Sequence, residues 1–304
     1  MPNHTHALLL VNHERPAVGA ITSRVRDALD SLGVKHTQIS DGPHETSLVE
    51  PNGATIIIAV GGDGTILSTA RRTAHTKLPI LGINAGRLGF LAQFDVDSFV
   101  SQAKSILHDN TYETTSHIMI EASISSKMHP QKYLGTALNE AVITAGPPYR
   151  MIELDIELDG QPGPQLSGDG LLVSTPTGST AYNVSAGGPI IGPGSDVFAI
   201  TPIAAHSLAY RPIVVPGSCS VVIEVLRAND SNDSNPDAGT ALVLDGHIVS
   251  SVHVGDRITI KRADNAATIV ENPQSNYWET LTTKLHWGHE PRVDAQRRNG
   301  EAGK

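Results

Sequence analysis

The chain has 304 residues and a formal net charge of −9 at pH 7, because 31 Asp and Glu outnumber 22 Lys and Arg. This charge argues against a nucleic-acid or membrane partner held on a broad basic surface, and it leaves room for a small anionic substrate in a local pocket. With a single cysteine, Cys219, and no apolar run as long as a membrane span, we expect a cytoplasmic protein that divides into two domains.

The first part of the chain alternates short apolar runs with amphipathic segments. Apolar runs predict strands at residues 7–11, 34–39, 55–59 and 79–84. Apolar residues at helical spacing predict helices at residues 18–32, 65–73 and 96–108. This alternation is typical of an α/β domain with a Rossmann-like open sheet, to which we assign residues 1–112.

The strand at 55–59 leads directly into the turn Gly61-Gly62-Asp63-Gly64-Thr65. Glycines let the backbone approach a ligand closely, and the unpaired amides at the start of the following helix carry partial positive charge. The turn therefore predicts a phosphate site that needs no basic side chain. A carboxylate is unsuited to holding phosphate, so Asp63 indicates removal of a proton from an attacking hydroxyl or contact with magnesium. Taken alone, roughly half of such short matches are purely structural turns.

A second glycine-rich turn, at residues 84–91, follows the next strand. Parallel strands deliver such turns to the same sheet edge, so we expect Asn84 and Phe90 to lie beside the first turn. Arg71 and Arg72, one turn into the helix, could neutralise an anionic donor, although a solvated helix face is the commoner reason for such arginines.

The pattern changes after residue 112. Alternating segments predict strands at residues 118–125, 137–143, 152–158, 171–174, 213–215, 220–226, 241–244 and 257–261. Since no long helical pattern interrupts them, we predict an all-β, sandwich-like domain over residues 113–275. Apolar residues at helical spacing predict a closing segment at 276–288, and we expect residues 289–304 to be disordered because charge replaces hydrophobicity there.

The stretch from Ser167 to Pro189 is rich in hydroxyl residues, Gly and Pro. Short donors suit sugar hydroxyls and phosphate oxygens, the ring of Tyr182 can pack on a base, and Asp169 can accept hydrogen bonds from an amide or hydroxyl. Roughly one in three such stretches, read alone, is a plain crossover loop. The further candidates in it are Thr177, Gly178, Ser179 and Thr180.

Asn139 and Glu140 lie within the apolar run at 137–143. An acceptor beside an amide suits ribose hydroxyls or an adenine edge, although a buried glutamate held by backbone amides is equally common. The fourteen histidines show no metal-ligand spacing, and neither a nucleophile elbow nor a serine triad occurs. We therefore predict no metal held by a protein cluster and interpret the serines as binding residues.

In their order and spacing, these motifs resemble those of the NAD kinases. The resemblance covers residues 5–288 and includes the first turn, Gly82-Ile83-Asn84 with Gly89-Phe90-Leu91, Asn139-Glu140, the stretch from Asp169 to Pro189, and the ending Lys284-Leu285-His286-Trp287-Gly288. The first turn alone is shared with the diacylglycerol and sphingosine lipid kinases. Several separated motifs that agree in order are far more specific than any one of them.

The resemblance implies a two-domain enzyme that uses ATP or polyphosphate, with magnesium on the donor phosphates, to phosphorylate the 2′-hydroxyl of the adenosine ribose of NAD. It implies that Asp63 is the base, that Asn139 and Glu140 hold the adenosine part, and that Asp169 holds the nicotinamide end. By the same likeness, the dinucleotide pocket is lined by Thr180, Ala181, Tyr182 and Ser185. It also implies a homo-oligomer, a dimer or tetramer, with Asp169 acting across a subunit boundary.

Three positions depart from the family pattern. Ser167 lies where some members carry a basic residue, which leaves the choice between NAD and NADH open. His247 lies where others have glutamine, and Arg150 lies where histidine is also found. Two alternative functions remain at this point: a lipid kinase, for which we find no amphipathic docking stretch, and a non-catalytic nucleotide-binding sensor, against which the carboxylate of Asp63 argues.

Overall fold

The computed structural model describes residues 5–12, 16–41, 47–86, 89–126, 129–230 and 238–288. The predicted tail at 289–304 and two residues of the second glycine turn, 87 and 88, lie outside the described residues. Within the described residues, no helix combines the length and apolar character that crossing a membrane requires.

The helices are α1 (Pro16–Ser31), α2 (Asp63–Thr73), α3 (Val96–Leu107), α4 (Tyr182–Ser185) and α5 (Tyr277–Leu285). The strands of the first half are β1 (His6–Val11), β2 (Lys35–Ser40), β3 (Ile56–Gly61), β4 (Ile80–Asn84), β5 (Thr114–His117), β6 (Ile120–Ser126), β7 (His129–Ala137), β8 (Glu140–Thr144) and β9 (Ile152–Leu158). Those of the second half are β10 (Gln161–Gly168), β11 (Gly170–Ser174), β12 (Val197–Ile203), β13 (Ile213–Pro216), β14 (Val221–Arg227), β15 (Ala241–Leu244), β16 (His247–Ser251), β17 (Arg257–Arg262) and β18 (Ala267–Val270).

The N-terminal sheet has the order β2-β1-β3-β4-β18-β5, with β1 to β4 parallel to their neighbours. Its strands β1, β3 and β4 are buried on both faces. One face packs on α1 and α3 through residues such as Val25 and Phe99, and the other packs on α2 through Ile66 and Ala70. The Ile-rich run of β3 lies at the centre, as expected for a strand covered on both sides. The predicted α/β domain with an open sheet is confirmed.

Two strands of this sheet come from the segment that we predicted as the β-rich domain. β18 pairs with β4 in parallel, and β5 pairs with β18 antiparallel. The chain therefore leaves the N-terminal sheet after β5 and returns to it at β18, which ties the two domains together.

The C-terminal domain consists of two six-stranded antiparallel sheets, β10-β9-β14-β17-β6-β7 and β13-β12-β11-β8-β15-β16. One apolar core joins their inner faces, with members such as Leu154 and Ile223 from the first sheet and Ile143 and Val173 from the second. This arrangement confirms the predicted all-β, sandwich-like domain.

The structure corrects the predicted strand at 137–143. β7 ends at Ala137 and β8 begins at Glu140, so Asn139 lies in the connection between two strands rather than inside one. The apolar run is continuous because both strand ends are buried, and apolar character alone does not mark the turn between them.

Candidate active site

The two glycine turns meet at the carboxyl edge of the N-terminal sheet. Gly61 and Asn84, the last residues of β3 and β4, are direct partners in the ladder, and the amide of Ala85 donates to the carbonyl of Gly61 over 2.8 Å. The side chain of Asn84 is buried and accepts a hydrogen bond from the amide of Gly86. The side chain therefore shapes the second turn.

Asp63 is the first residue of α2, and its carboxylate is held by the second turn. The amides of Phe90, Leu91 and Ala92 donate to it over 2.9, 3.2 and 3.1 Å. Its side chain remains 31% exposed, so the oxygens are not sealed from the cavity beside them. The three amides fix the position of the carboxylate at a helix N-terminus, where positive dipole charge favours a negative group.

Gly89 is where the second turn passes closest to Asp63. A Cβ at this position would lie 2.5 Å from Cγ and 2.7 Å from Oδ2 of Asp63, closer than any real contact. Gly61 is constrained in the same way, because a Cβ added to Gly61 would lie 2.7 Å from the Cβ of Thr65. These glycines are required for close packing around the carboxylate.

Gly89→Ala should therefore lower the turnover number about 100-fold, because the added methyl group displaces the Asp63 carboxylate and a misplacement of ~1 Å has effects of that size. Steady-state kinetics of the purified variant measure this. The matched control is Gly19→Ala in α1, where nothing lies within 4 Å of the added Cβ. Turnover within threefold of wild type in Gly89→Ala would contradict the account.

A cavity of about 1150 Å³ opens next to Asp63. The N-terminal domain, the C-terminal domain and α5 all contribute to its wall, which places the predicted closing segment over the site. Its lining includes Asp63, Phe90, Leu91, Asp95, Asn139, Thr177, Thr180, Ala181, Asn276, Glu279, Thr283, Lys284 and His286.

The connection that carries Asn139 is held by a carboxylate from elsewhere in the chain. Asp245 accepts hydrogen bonds from the amides of Leu138, Asn139 and Glu140 over 2.9, 2.7 and 3.2 Å. Arg71 of α2 lies 3.4 Å from the same carboxylate. Burial raises the pKa of Asp245, while the three amides and the guanidinium act in the opposite direction. Arg71 thus joins the two domains at this point.

Glu140 is buried beside Asp245, and its Oε2 has no hydrogen-bond partner among the described residues. Burial and then the neighbouring carboxylate raise the pKa of Glu140 from 4.5 to about 8. A buried carboxyl with an unused oxygen is suited to a ligand hydroxyl, because that contact would supply the missing partner.

The hydroxyl-rich loop after β11 is held by hydrogen bonds from buried side chains. Ser179 is fully buried and donates to the carbonyl of Pro176, and Asn183 bonds the carbonyls of Ser179 and Pro189. A Cβ on Gly178 would lie 2.5 Å from the carbonyl carbon of Asn139. Ser179 and Gly178 therefore hold the loop in place, and Thr177, Thr180 and Ala181 face the cavity.

His117 supports this loop from behind. Its Nδ1 lies 2.9 Å from the hydroxyl of Thr177. Burial lowers the pKa of His117 to about 4, against the opposing influence of Glu271, so the ring is neutral at pH 7. Glu271 in turn accepts a short hydrogen bond from Thr115. These contacts join the C-terminal loop to β5 of the N-terminal sheet.

Several predicted residues lie away from this cavity. Arg72 is buried in an ion pair of 2.6 Å with Asp41, which gives it a structural role. Arg150 lines a separate cavity of about 800 Å³. Ser167 and Asp169 lie at the end of β10 and just before β11, and Asp169 is exposed. His247 begins β16, and Tyr182 and Ser185 are exposed at the two ends of α4.

Sequence reasoning missed three residues near the cavity: Asp245, His117 and Lys284. Asp245 had a local signal, since it precedes Gly246 in a tight turn and adopts a positive φ of 46° that Asp tolerates. Lys284 belonged to a segment that we singled out without assigning it a role. His117 had no sequence signal, because its partners lie far away in the chain.

The described residues contain no group of three or more His, Cys, Asp or Glu side chains placed to hold a metal ion. The arrangement fixes the partly open carboxylate of Asp63 beside the cavity and places the buried carboxyl of Glu140 next to Asn139, which lines the same cavity. Such a site can accept a proton from a hydroxyl that is positioned between the two domains.

Comparison with known proteins identifies the family. The models of the ATP-NAD kinase N-terminal domain and the ATP-NAD kinase C-terminal domain match residues 10–112 and 138–272. The NAD kinase of Wolinella succinogenes is 39% identical over 236 residues, which is 77% of this chain and 76% of the relative. The NAD kinase of Syntrophotalea carbinolica is 32% identical over 289 residues, which is 94% of this chain and 96% of the relative.

Two solved structures are also similar to this chain. Yeast NADH kinase complexed with NADH superposes with a TM-score of 0.82 at 21% identity, covering 96% of this chain and 90% of that one, which shows the shared fold. An NAD kinase from Archaeoglobus fulgidus in complex with ATP superposes with a TM-score of 0.69 at 26% identity, covering 93% and 99%. From the two domain matches and the relatives that align along most of its length, this chain belongs to the NAD kinase family.

Proposed function

We propose that the cavity beside Asp63 is where this member of the NAD kinase family transfers a phosphoryl group from ATP to the 2′-hydroxyl of the adenosine ribose of NAD, producing NADP. The observation that carries the proposal is the carboxylate of Asp63. Three backbone amides hold it at a helix start, and it is open to a cavity that Asn139 and Thr177 also line. Relatives named NAD kinase and a relative solved with ATP support the choice of substrates.

In this proposal, Asp63 accepts the proton of the attacking hydroxyl. The amides of Gly62 and Gly64, at the start of α2, bind oxygens of the donor phosphates, whereas the amide of Thr65 donates to the carbonyl of Gly62 over 2.9 Å. Thr65 is buried against Gly61, so its part is to shape the turn. Because the groups are already fixed by hydrogen bonds before the substrates arrive, little reorganisation is needed during the reaction.

Asn139 and Glu140 would bind the adenosine part of NAD. Asn139 lines the cavity, and the free oxygen of Glu140 offers an acceptor to a ribose hydroxyl. Thr180, Ala181, Tyr182 and Ser185 would continue the dinucleotide site along the hydroxyl-rich loop. Arg71, Arg150, Ser167 and His247 stay predictions as binding residues.

Asp169 would bind the nicotinamide end across a subunit boundary in a homo-oligomer. Its exposure, and its position outside the cavity of its own chain, are consistent with a role toward a second copy. Sedimentation analysis with and without NAD tests whether the chain forms a homo-oligomer.

We also propose that the protein is located in the cytoplasm.

Magnesium is proposed as the accompanying ion. Mg²⁺ usually binds substrate phosphates together with a few other oxygens, and the open position on Oδ2 of Asp63, which accepts the amide of Phe90, is needed for the hydroxyl proton, so we propose that the donor phosphates hold the ion. Bound there, magnesium would neutralise charge on the donor phosphates.

The test is to incubate the purified chain with magnesium and either ATP or inorganic polyphosphate, together with NAD or NADH, and to quantify NADP and NADPH. We expect NADP from ATP and NAD at about 1–100 per second, the usual range for kinases. The reaction with NADH shows whether the chain, with Ser167 in place of a basic residue, also phosphorylates NADH. Absence of product with both donors would overturn the proposal, and phosphorylation of diacylglycerol instead would favour the lipid kinase.

A further inference from the structure

The charge of the cavity is unusual for a site that takes polyphosphate. Three carboxylates line it, from Asp63, Asp95 and Glu279. Among the described residues in its lining, Lys284 is the one that carries a permanent positive charge. A donor with several negative charges is therefore repelled by the wall everywhere except near this ammonium and the amides of the first turn.

Lys284 lies next to the carboxylate of Asp63, the proposed base. It lies in the last turn of α5, and its Nζ is 3.8 Å from Oδ2 of Asp63. The same Nζ lies 5.2 Å from the centre of the Phe90 ring, which itself packs on Tyr277 at 5.9 Å. The lysine is thus held between an aromatic face and the proposed base.

Stability does not explain this placement. An ion pair between two groups that are each 31% exposed contributes little to folding. The separation of 3.8 Å is also longer than a hydrogen bond, so the contact with Asp63 does not occupy an ammonium N–H group. Asp63 is already held by three amides. The ammonium is therefore available to a ligand oxygen that approaches it from the cavity.

We infer that Lys284 binds a non-bridging oxygen of the phosphoryl group that is transferred, so that α5 completes the active site. This inference rests on the proposed function. The attacking hydroxyl oxygen forms the new bond to phosphorus, the bond to the leaving diphosphate breaks and its electron pair stays with that diphosphate, and the hydroxyl proton passes to Asp63. Lys284 keeps its proton throughout and offsets the charge on the transferred group.

The test compares Lys284→Met with Lys284→Arg. Methionine keeps an unbranched apolar stem against Phe90 and removes the charge, whereas arginine keeps the charge. Three quantities are measured for each: kcat/KM for ATP, the Kd of NAD by calorimetry, and the increase in Tm caused by inorganic tripolyphosphate. The matched control is Lys104→Met, an exposed lysine in the last turn of α3 that does not line the cavity.

For Lys284→Met we expect kcat/KM for ATP to fall at least 100-fold and the tripolyphosphate shift to disappear, with the Kd of NAD within threefold of wild type. Lys284→Arg should keep kcat/KM within tenfold, and Lys104→Met should match wild type. The inference is overturned if Lys284→Met keeps kcat/KM within threefold, or if NAD binding weakens as much as ATP use. A wild-type chain that binds tripolyphosphate through Lys284 yet makes no NADP would refute the proposed function and leave the phosphate role standing.

Discussion

Asp63→Asn should lower the turnover number for NADP formation about 1000-fold while the Kd of NAD changes by less than threefold. The amide cannot accept the proton of the attacking hydroxyl, and loss of a general base has effects of about 100- to 10,000-fold. The size and shape of the side chain are retained, and one oxygen can still accept the amides of Leu91 and Ala92. Single-turnover kinetics together with NAD calorimetry separate the chemical step from binding.

Asp95→Asn is the matched control for this substitution. Asp95 also lines the cavity, but its carboxylate caps α3 by accepting the amide of Ser98, a role that asparagine fills equally well. Asp95→Asn should therefore keep turnover within threefold. If Asp63→Asn kept more than a tenth of wild-type turnover, Asp63 would not be the base and its role would be to hold the second turn.

Glu140→Gln should make the unliganded chain more stable at neutral pH and weaken its binding of NAD. The folded-state pKa of Glu140 is raised from 4.5 to about 8, so the protonated carboxyl is compatible with folding. As pH rises from 4.5 to 8, ionisation favours the unfolded chain by about 1.4 kcal/mol per pH unit from this group. Glutamine is neutral throughout, so the gain in free energy of unfolding should grow from near zero at pH 4.5 to about 3 kcal/mol at pH 7.

Urea unfolding of wild type and Glu140→Gln at several pH values between 4.5 and 8 measures this difference. Glu113→Gln, at an exposed glutamate, serves as control and should follow the wild-type curve. The loss of an acceptor for a ribose hydroxyl should raise the Kd of NAD about tenfold, equal to ~1.4 kcal/mol. Unfolding free energies of wild type and Glu140→Gln that stay parallel across this pH range would show that Glu140 is charged in the folded chain.

Among the strands that the sequence analysis did not predict, β10 and β18 lack the usual strand pattern. β10 contains two prolines and two glycines, which normally argue against a strand, yet it lies at the edge of its sheet, where missing amide donors are tolerated. β18 has four residues and joins the N-terminal sheet from the far end of the chain. Its partner is set by how the domains pack, which local patterns do not contain.

By itself, the sequence determined the local features of this protein. The run Ile56 to Ile58, the glycines that follow it and the position of Asp63 at a helix start are fixed by backbone sterics and hydrogen bonds within a few residues, so the phosphate-type turn could be predicted. The tertiary structure decided which distant residues meet it. Asp245 reaches amides more than a hundred positions away, and Lys284 lies over Phe90 and Asp63. Those contacts depend on the packing of sheets and of α5, in which residues far apart in the chain are brought together by the burial of apolar surface.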